Sequence, residues 1–334
     1  MLGSAPPTEG IILMEIVDKI KGTYYGWFFG PGAILRKGLD ANYLNIKNNP
    51  EFSKINKFED IPSDYKMYDQ LTQTKIVHDI IIEHGKISPE LFKDRLLELN
   101  NKDDILNNNQ YGPSTQKAVK KLLGGVDPRQ TGKDGLTTGG AMRCMPIAVY
   151  FRDNQPKLIE NTYESCIITH NTNVAISSAL ATNLMIYFLL QGESKEKSLG
   201  STLKILKGNY GKYGEPTAFA YMHERIQDSV NWIKGKSFDE ATKIIAEKIG
   251  FSWYAIEQIP AAFAIYFSTK DPQEAELMAF KIGYGHTAPQ IACAFFGAER
   301  GHNIFPTAII RKIEGVNNIN IDKMAEEIIK GQKR

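Results

Sequence analysis

The sequence lacks most of the features that name a function at sight. It has three cysteines in 334 residues, Cys144, Cys166 and Cys293, far apart and odd in number. No CxxC pair and no Cys/His cluster is present, which excludes a zinc ribbon or finger. Isolated thiols in apolar stretches are expected to be buried and reduced, as in a cytoplasmic protein. Net charge is nearly absent as well: 40 Lys and Arg face 38 Asp and Glu, leaving +2. Such a balance gives no footprint for nucleic acid or an anionic membrane. The first residues, MLGSAPPTEG, lack the charged start and apolar core of a signal peptide. Residues 1–13 are expected to be a disordered tail, followed by one domain over 14–330. The most apolar stretch, NVAISSALATNLMIYFLLQG, is interrupted by Ser177, Ser178, Thr182 and Asn183. Only Leu184 to Leu190 is unbroken, against the ~20 residues that span a bilayer. It is expected to be a core helix, with no membrane partner.

What is present is helical nearly throughout. SPELFKDRLLELN has Ser88 as N-cap and Pro89 at the first helical position. Its apolar face is Phe92, Leu96 and Leu99, with Leu97 beside them. SFDEATKIIAEKIG carries a capping box, Ser237 with Glu240, and stops at Gly250. DPQEAELMAFKIG repeats the device with Asp271, Pro272 and Gly283, and TQTKIVHDIIIEHG ends at Gly85. MPIAVYF has strand propensity but is short and isolated, and no series of βα units follows. Residues 40–65 and 123–140 read as loops, and the lysine-rich GESKEKSLGSTLKILKGNYGKYGEP as a solvated hairpin.

Several short stretches carry polar groups in special settings. GTYYGWFFGPG spaces Gly22, Gly26 and Gly30 four apart, a smooth stripe for close helix packing. YGPST places Tyr111, Gly112 and Pro113 before a helix, with Ser114 and Thr115 at its start. TTGGAMR puts Gly139 and Gly140 where backbone N–H groups can approach a phosphate. Arg143 follows, next to an apolar run, where it needs a phosphate or a buried acid as partner. ITHNTN sets His170 at a helix start, with donors at the positive end of the dipole. GYGHTAPQIACAFFGAERG opens a buried helix on a polar turn.

Taken in order, these stretches resemble the ADP-ribosylglycohydrolase family, the fold of dinitrogen-reductase-activating glycohydrolase and the ADP-ribosyl-acceptor hydrolases. GTYYGWFFGPG, YGPST, GGAMRCMPIAVY, ITHNTNVAISSALA, GFSWYAIEQIPAAFAIY and the GYGHT stretch match from about residue 14 to about 301. The resemblance implies an all-α protein, a single-domain orthogonal helical bundle with a central cleft. It also implies two magnesium ions, held by a Thr-Asp-Asp-Thr run and an Asp-Thr-Asp-Thr run. Here the first run reads Asp69, Gln70, Leu71, Thr72 and the second Tyr284, Gly285, His286, Thr287. The family's early acid, in a Gly-Asp turn, is replaced by Pro31. Hydroxyls alone do not hold Mg²⁺, so no metal ligand and no cofactor is expected.

Losing acids and cations together is self-consistent, because packed carboxylates repel without divalent ions. Asp69, Thr72, Tyr284, His286 and Thr287 are expected to form a metal-free hydrogen-bonded cluster. Two functions follow. One is a glycohydrolase cleaving a ribosyl N- or O-glycosidic bond, with Asp69 or His286 as general base. The other is a degenerate member that binds a nucleotide or ADP-ribosylated partner without turnover, or serves as structure. Under both, Thr72, Tyr111, Gly139, Gly140, Arg143, His170, Tyr284 and Thr287 are candidate substrate contacts.

Overall fold

The computed structural model describes residues 9–30, 54–61, 66–67, 69–209, 211–283 and 287–332. The expected cluster members Tyr284 and His286 lie outside the described residues, as do Pro31, residues 1–8 of the expected tail and most of the expected 40–65 loop.

The fold is all-α. Helices α1 (Glu9–Phe29), α2 (Asp69–His84), α3 (Pro89–Asp103), α4 (Pro113–Leu123) and α5 (Met145–Tyr150) come first. Helices α6 (Gln155–His170), α7 (Asn173–Leu190), α8 (Lys195–Asn209), α9 (Met222–Ile233) and α10 (Phe238–Ile244) follow. Helices α11 (Ala255–Ser268), α12 (Pro272–Ile282), α13 (Thr287–Arg300), α14 (Thr307–Asn317) and α15 (Ile321–Gly331) complete the order. Among the described residues there is no strand, only two isolated bridges, Thr137–Tyr254 and Thr172–Glu215.

Local chemistry accounts for many of the helix ends. The Ser88 hydroxyl accepts the Leu91 N–H at 3.3 Å, and Phe92 and Leu96 below it are fully buried. Ser237 and Glu240 close a reciprocal capping box at the head of α10. That helix loosens into a π turn over Ile245–Ile249 and stops at Gly250, whose φ of 93° suits glycine. Asp271 accepts the Glu274 N–H at 2.8 Å to start α12.

Three expectations need correction. α1 begins at Glu9, inside the stretch expected to be a tail. In keeping with the all-α reading, MPIAVY forms the helix α5 despite its strand propensity, with Pro146 in its first turn and Met145 to Val149 all buried. A short run that is apolar on every side cannot be told from a strand by periodicity. The lysine-rich stretch forms α8, which buries Leu199, Thr202 and Leu206 on one face, rather than a hairpin. His170 ends α6 instead of starting a helix, and Thr172 is the N-cap of α7.

The interior is organised around α13, which is buried from Thr287 to Ala298 and packs against α1, α7, α11 and α12. The closest of these contacts is with α1. A methyl group on Gly22 would overlap the backbone of Gly301 and Gly297, on Gly26 that of Cys293, and on Gly30 that of Pro289 and Gln290. Gly297 answers from the other side, in contact with the Gly22 carbonyl. The spaced glycines therefore let two backbones touch. Trp27 then ties α1 to α2, its indole N–H donating to Thr74 Oγ1 at 3.0 Å. Helix α7 is apolar and long enough to cross a membrane by composition, yet 89% of its span is buried inside the fold.

The seam gives a direct test. Gly297→Ala should destabilise the protein by about 3 kcal/mol or more, because neither backbone can yield to a methyl group. Gly200→Ala, in α8 with open space around it, should instead stabilise it by about 0.5–1 kcal/mol. Urea denaturation of both variants measures the pair, and similar small effects would contradict the close contact.

Candidate functional site

Residues 131–140 cross the last turn of α6 at van der Waals distance. A methyl group on Gly132 would overlap the Ile167 carbonyl, and one on Gly135 the Thr169 carbonyl. On Gly139 it would meet the His170 ring, and on Gly140 the Cys166 sulfur. The loop also accepts and supplies hydrogen bonds there. Thr131 Oγ1 donates to the Ile168 carbonyl at 2.6 Å, one of the carbonyls a helix end leaves without an intrahelical partner. The Asn171 N–H donates to the Gly132 carbonyl at 2.8 Å, and Thr172 Oγ1 to the Gly135 carbonyl at 2.6 Å.

Held in this way, the loop meets the starts of several helices. Thr137 Oγ1 lies 3.1 Å from Ser114 Oγ at the head of α4. The Ala255 N–H at the head of α11 donates to the Leu136 carbonyl at 3.0 Å. Thr138 Oγ1 lies 2.9 Å from Thr287 Oγ1 at the head of α13. Gln258 reaches across from α11, accepting the Ala288 N–H at 3.0 Å and donating to the Phe251 carbonyl at 3.0 Å.

Asp69 is the first residue of α2 and is buried. Burial pushes its carboxyl up from 3.8 to about 7; the backbone N–H groups of Gln70, Gly112 and Asp69 itself act in the opposite direction. Gly112 is the N-cap of α4, so Asp69 stands beside the same helix start as Ser114. Thr72 Oγ1 donates to the Asp69 carbonyl at 3.4 Å and lies 3.4 Å from the Tyr111 hydroxyl. That hydroxyl donates to Asp103 Oδ2 at 2.7 Å, and burial raises the Tyr111 phenol.

The structure thus brings Asp69, Thr72 and Tyr111 together, and reaches His170 and Thr287 through Thr137 and Thr138. It does not bring Arg143 to them. The guanidinium lies wholly in the core, donating to Gln73 Oε1 at 2.7 Å, the Ser165 carbonyl at 2.6 Å and Thr169 Oγ1 at 2.7 Å. It stacks 4.4 Å over the Phe92 ring, and burial pulls it down to about 10. The expected acid or phosphate partner is replaced by neutral acceptors. Gly139 and Gly140 owe their lack of a side chain to His170 and Cys166. His170 is held well below 6.5, first by burial and then by Arg143, and is therefore neutral.

The positions of the family's first metal run do not fit a magnesium ion. Leu71 is buried, and the Gln70 amide oxygen is buried without a partner among the described residues. Among the described residues no three His, Cys, Asp or Glu side chains gather where a metal could bind. A hard cation needs several ionised or carbonyl oxygens converging on one point.

Sequence reasoning read Ser114 only as part of a helix start and passed over Thr137, Thr138, Asp103 and Gln258. The one local signal was the threonine pair directly before Gly139.

Comparisons with known proteins place this geometry. A family model described as ADP-ribosylglycohydrolase matches residues 22–334. The protein YegU of Escherichia coli (strain K12) is 23% identical over 269 residues, covering 78% of this chain and 80% of the relative. A protein of Archaeoglobus fulgidus is 28% identical over 276 residues, covering 79% and 82%. A chain of an ADP-ribosylglycohydrolase-related protein complex shares the fold, with a TM-score of 0.67, 17% identity and coverage of 96% and 99%.

The raised Asp69 carboxyl makes folding take up a proton. Its contribution to stability is complete below pH 3.8 and is lost as the pH rises through about 7. The loss amounts to at most about 4 kcal/mol. Asp69→Asn, which keeps the neutral form, should match the wild type at pH 4 and exceed it in stability at pH 8. Chemical denaturation at the two pH values decides; a variant that is weaker at pH 8 would contradict the buried, protonated carboxyl.

Proposed function

The chain belongs to the ADP-ribosylglycohydrolase family, and from that premise we propose that it cleaves a ribosyl N- or O-glycosidic bond of an ADP-ribosylated substrate with side chains, in place of a magnesium pair, moving the proton. The observation that carries this is Asp69: a buried carboxyl at about 7, beside Thr72 and Tyr111, where the family's first metal run falls. A carboxyl poised there can work as acid and then as base at neutral pH. Protonated Asp69 gives its proton to the leaving nitrogen or oxygen as the bond to the ribose C1 breaks. The carboxylate left behind stabilises the oxocarbenium ion and takes a proton from the water that adds to C1. Thr72, Thr287 and Thr138 supply hydroxyls for the sugar. His286 and Tyr284 lie outside the described residues; His286 is the second candidate base and Tyr284 a candidate substrate contact.

A net charge of +2 supports a nucleotide or ADP-ribosylated partner over nucleic acid. Three buried, unpaired thiols suit a reducing, cytoplasmic setting. A second reading, binding without turnover, is supported by Gln70 and Leu71 standing where the family has acids.

The test is release of ADP-ribose from ADP-ribosylated peptides. The rate should be the same with EDTA and with magnesium, and should fall above pH 7. Asp69→Asn should lower it roughly a hundredfold or more while leaving ADP-ribose binding intact. Strict magnesium dependence would contradict the proposal, as would an unaffected Asp69→Asn variant. Binding of ADP-ribose with no turnover by the wild type would establish the second reading.

A further inference from the structure

Arg143 is a buried cation that no carboxylate faces among the described residues; its hydrogen bonds go to an amide, a carbonyl and a hydroxyl, and its Nε has no partner. A guanidinium can only donate. Thr169 Oγ1 therefore accepts from Arg143 Nη2 at 2.7 Å and must place its single hydrogen elsewhere. Its other partner is His170 Nδ1 at 2.6 Å. With Thr169 buried, the alternative is a hydroxyl hydrogen without an acceptor, which costs about 1–3 kcal/mol. Nδ1 accordingly accepts. A neutral imidazole has one N–H, so the hydrogen sits on Nε2. Nε2 points at Thr137 Oγ1, 2.9 Å away. Thr137 accepts there and turns its own hydrogen to Ser114 Oγ at 3.1 Å. Ser114 accepts in turn, and its hydrogen has no acceptor among the described residues. Only the arginine end has a fixed sense, so it sets the direction of every link.

We propose that Arg143 is a positioning residue: through Thr169, His170 and Thr137 it presents the Ser114 hydroxyl as a hydrogen-bond donor to an acceptor oxygen of the substrate, at the helix start that also touches Asp69. Arg143 serves the site without entering it, and His170 is a relay and takes up no proton. The role of Ser114 rests on the functional reading above, whereas the relay does not.

Two measurements separate them. Nitrogen-15 NMR of histidine-labelled protein should show His170 as the Nε2–H tautomer, unchanged between pH 8 and pH 5. Thr169→Val should mix the tautomers and Thr169→Ser should restore the single form. An Nδ1–H tautomer or an imidazolium in the wild type overturns the relay, as does a tautomer indifferent to Thr169→Val. In calorimetric titration with ADP-ribose, Ser114→Ala and Thr169→Val should each bind roughly tenfold more weakly, with Thr169→Ser near the wild type. Unchanged binding by Ser114→Ala overturns its assignment. No binding of ADP-ribose by the wild type overturns that assignment together with the reading it rests on, and the tautomer result alone then decides the relay.

Discussion

The site depends on one steric constraint: residues 132–140 lie in backbone contact with the last turn of α6. Glycine at 132, 135, 139 and 140 is what permits it, since any side chain there would overlap Ile167, Thr169, His170 or Cys166. The contact leaves the His170 ring a single place, between Thr169 and Thr137. It also carries Thr137 and Thr138 to the heads of α4 and α13. The far wall is set by a similar device. Helix α13 is seated on α1 through Gly22, Gly26 and Gly297, and so brings Thr287 to meet Thr138. Close backbone approach, repeated twice, positions these side chains.

The charge states follow from the same packing. Arg143 is enclosed by neutral acceptors and an aromatic face. Its field and the burial of the ring keep His170 uncharged. Burial holds the Asp69 carboxyl up to about 7, and no cation offsets it among the described residues. A cluster of ionised carboxylates here would need divalent ions to offset its repulsion. The Asp69 carboxyl instead faces backbone N–H groups, while the neutral His170 imidazole lies between the hydroxyls of Thr169 and Thr137.

Much of the fold was legible because its signals are local. Ser88, Ser237 and Asp271 cap helices through groups three residues away, and the four-residue glycine spacing favours a close-packed face. Failures came where the outcome is set by distant partners. Helix α8 was read as a hairpin for its lysines and glycines, although Leu199, Thr202 and Leu206 share one buried face. His170 was placed at a helix start because Thr172 and Asn173 look like one; the cap is two residues later than expected. Arg143 read as a ligand because a buried arginine ordinarily needs an anion. Nothing local reveals that Gln73, Ser165 and Thr169 would converge on it. Thr137 and Thr138 were missed, and Ser114 was read only as part of a helix start, for the same reason, since their partners are 33, 149 and 23 residues away.

The central claim is the proposal that Asp69 titrates near 7 and works without magnesium. Titration of its side-chain carboxyl carbon by carbon-13 NMR, with and without millimolar magnesium, addresses this most directly. The account predicts a midpoint near 7 in both series. A midpoint near 4, or one that falls when magnesium is added, would contradict it.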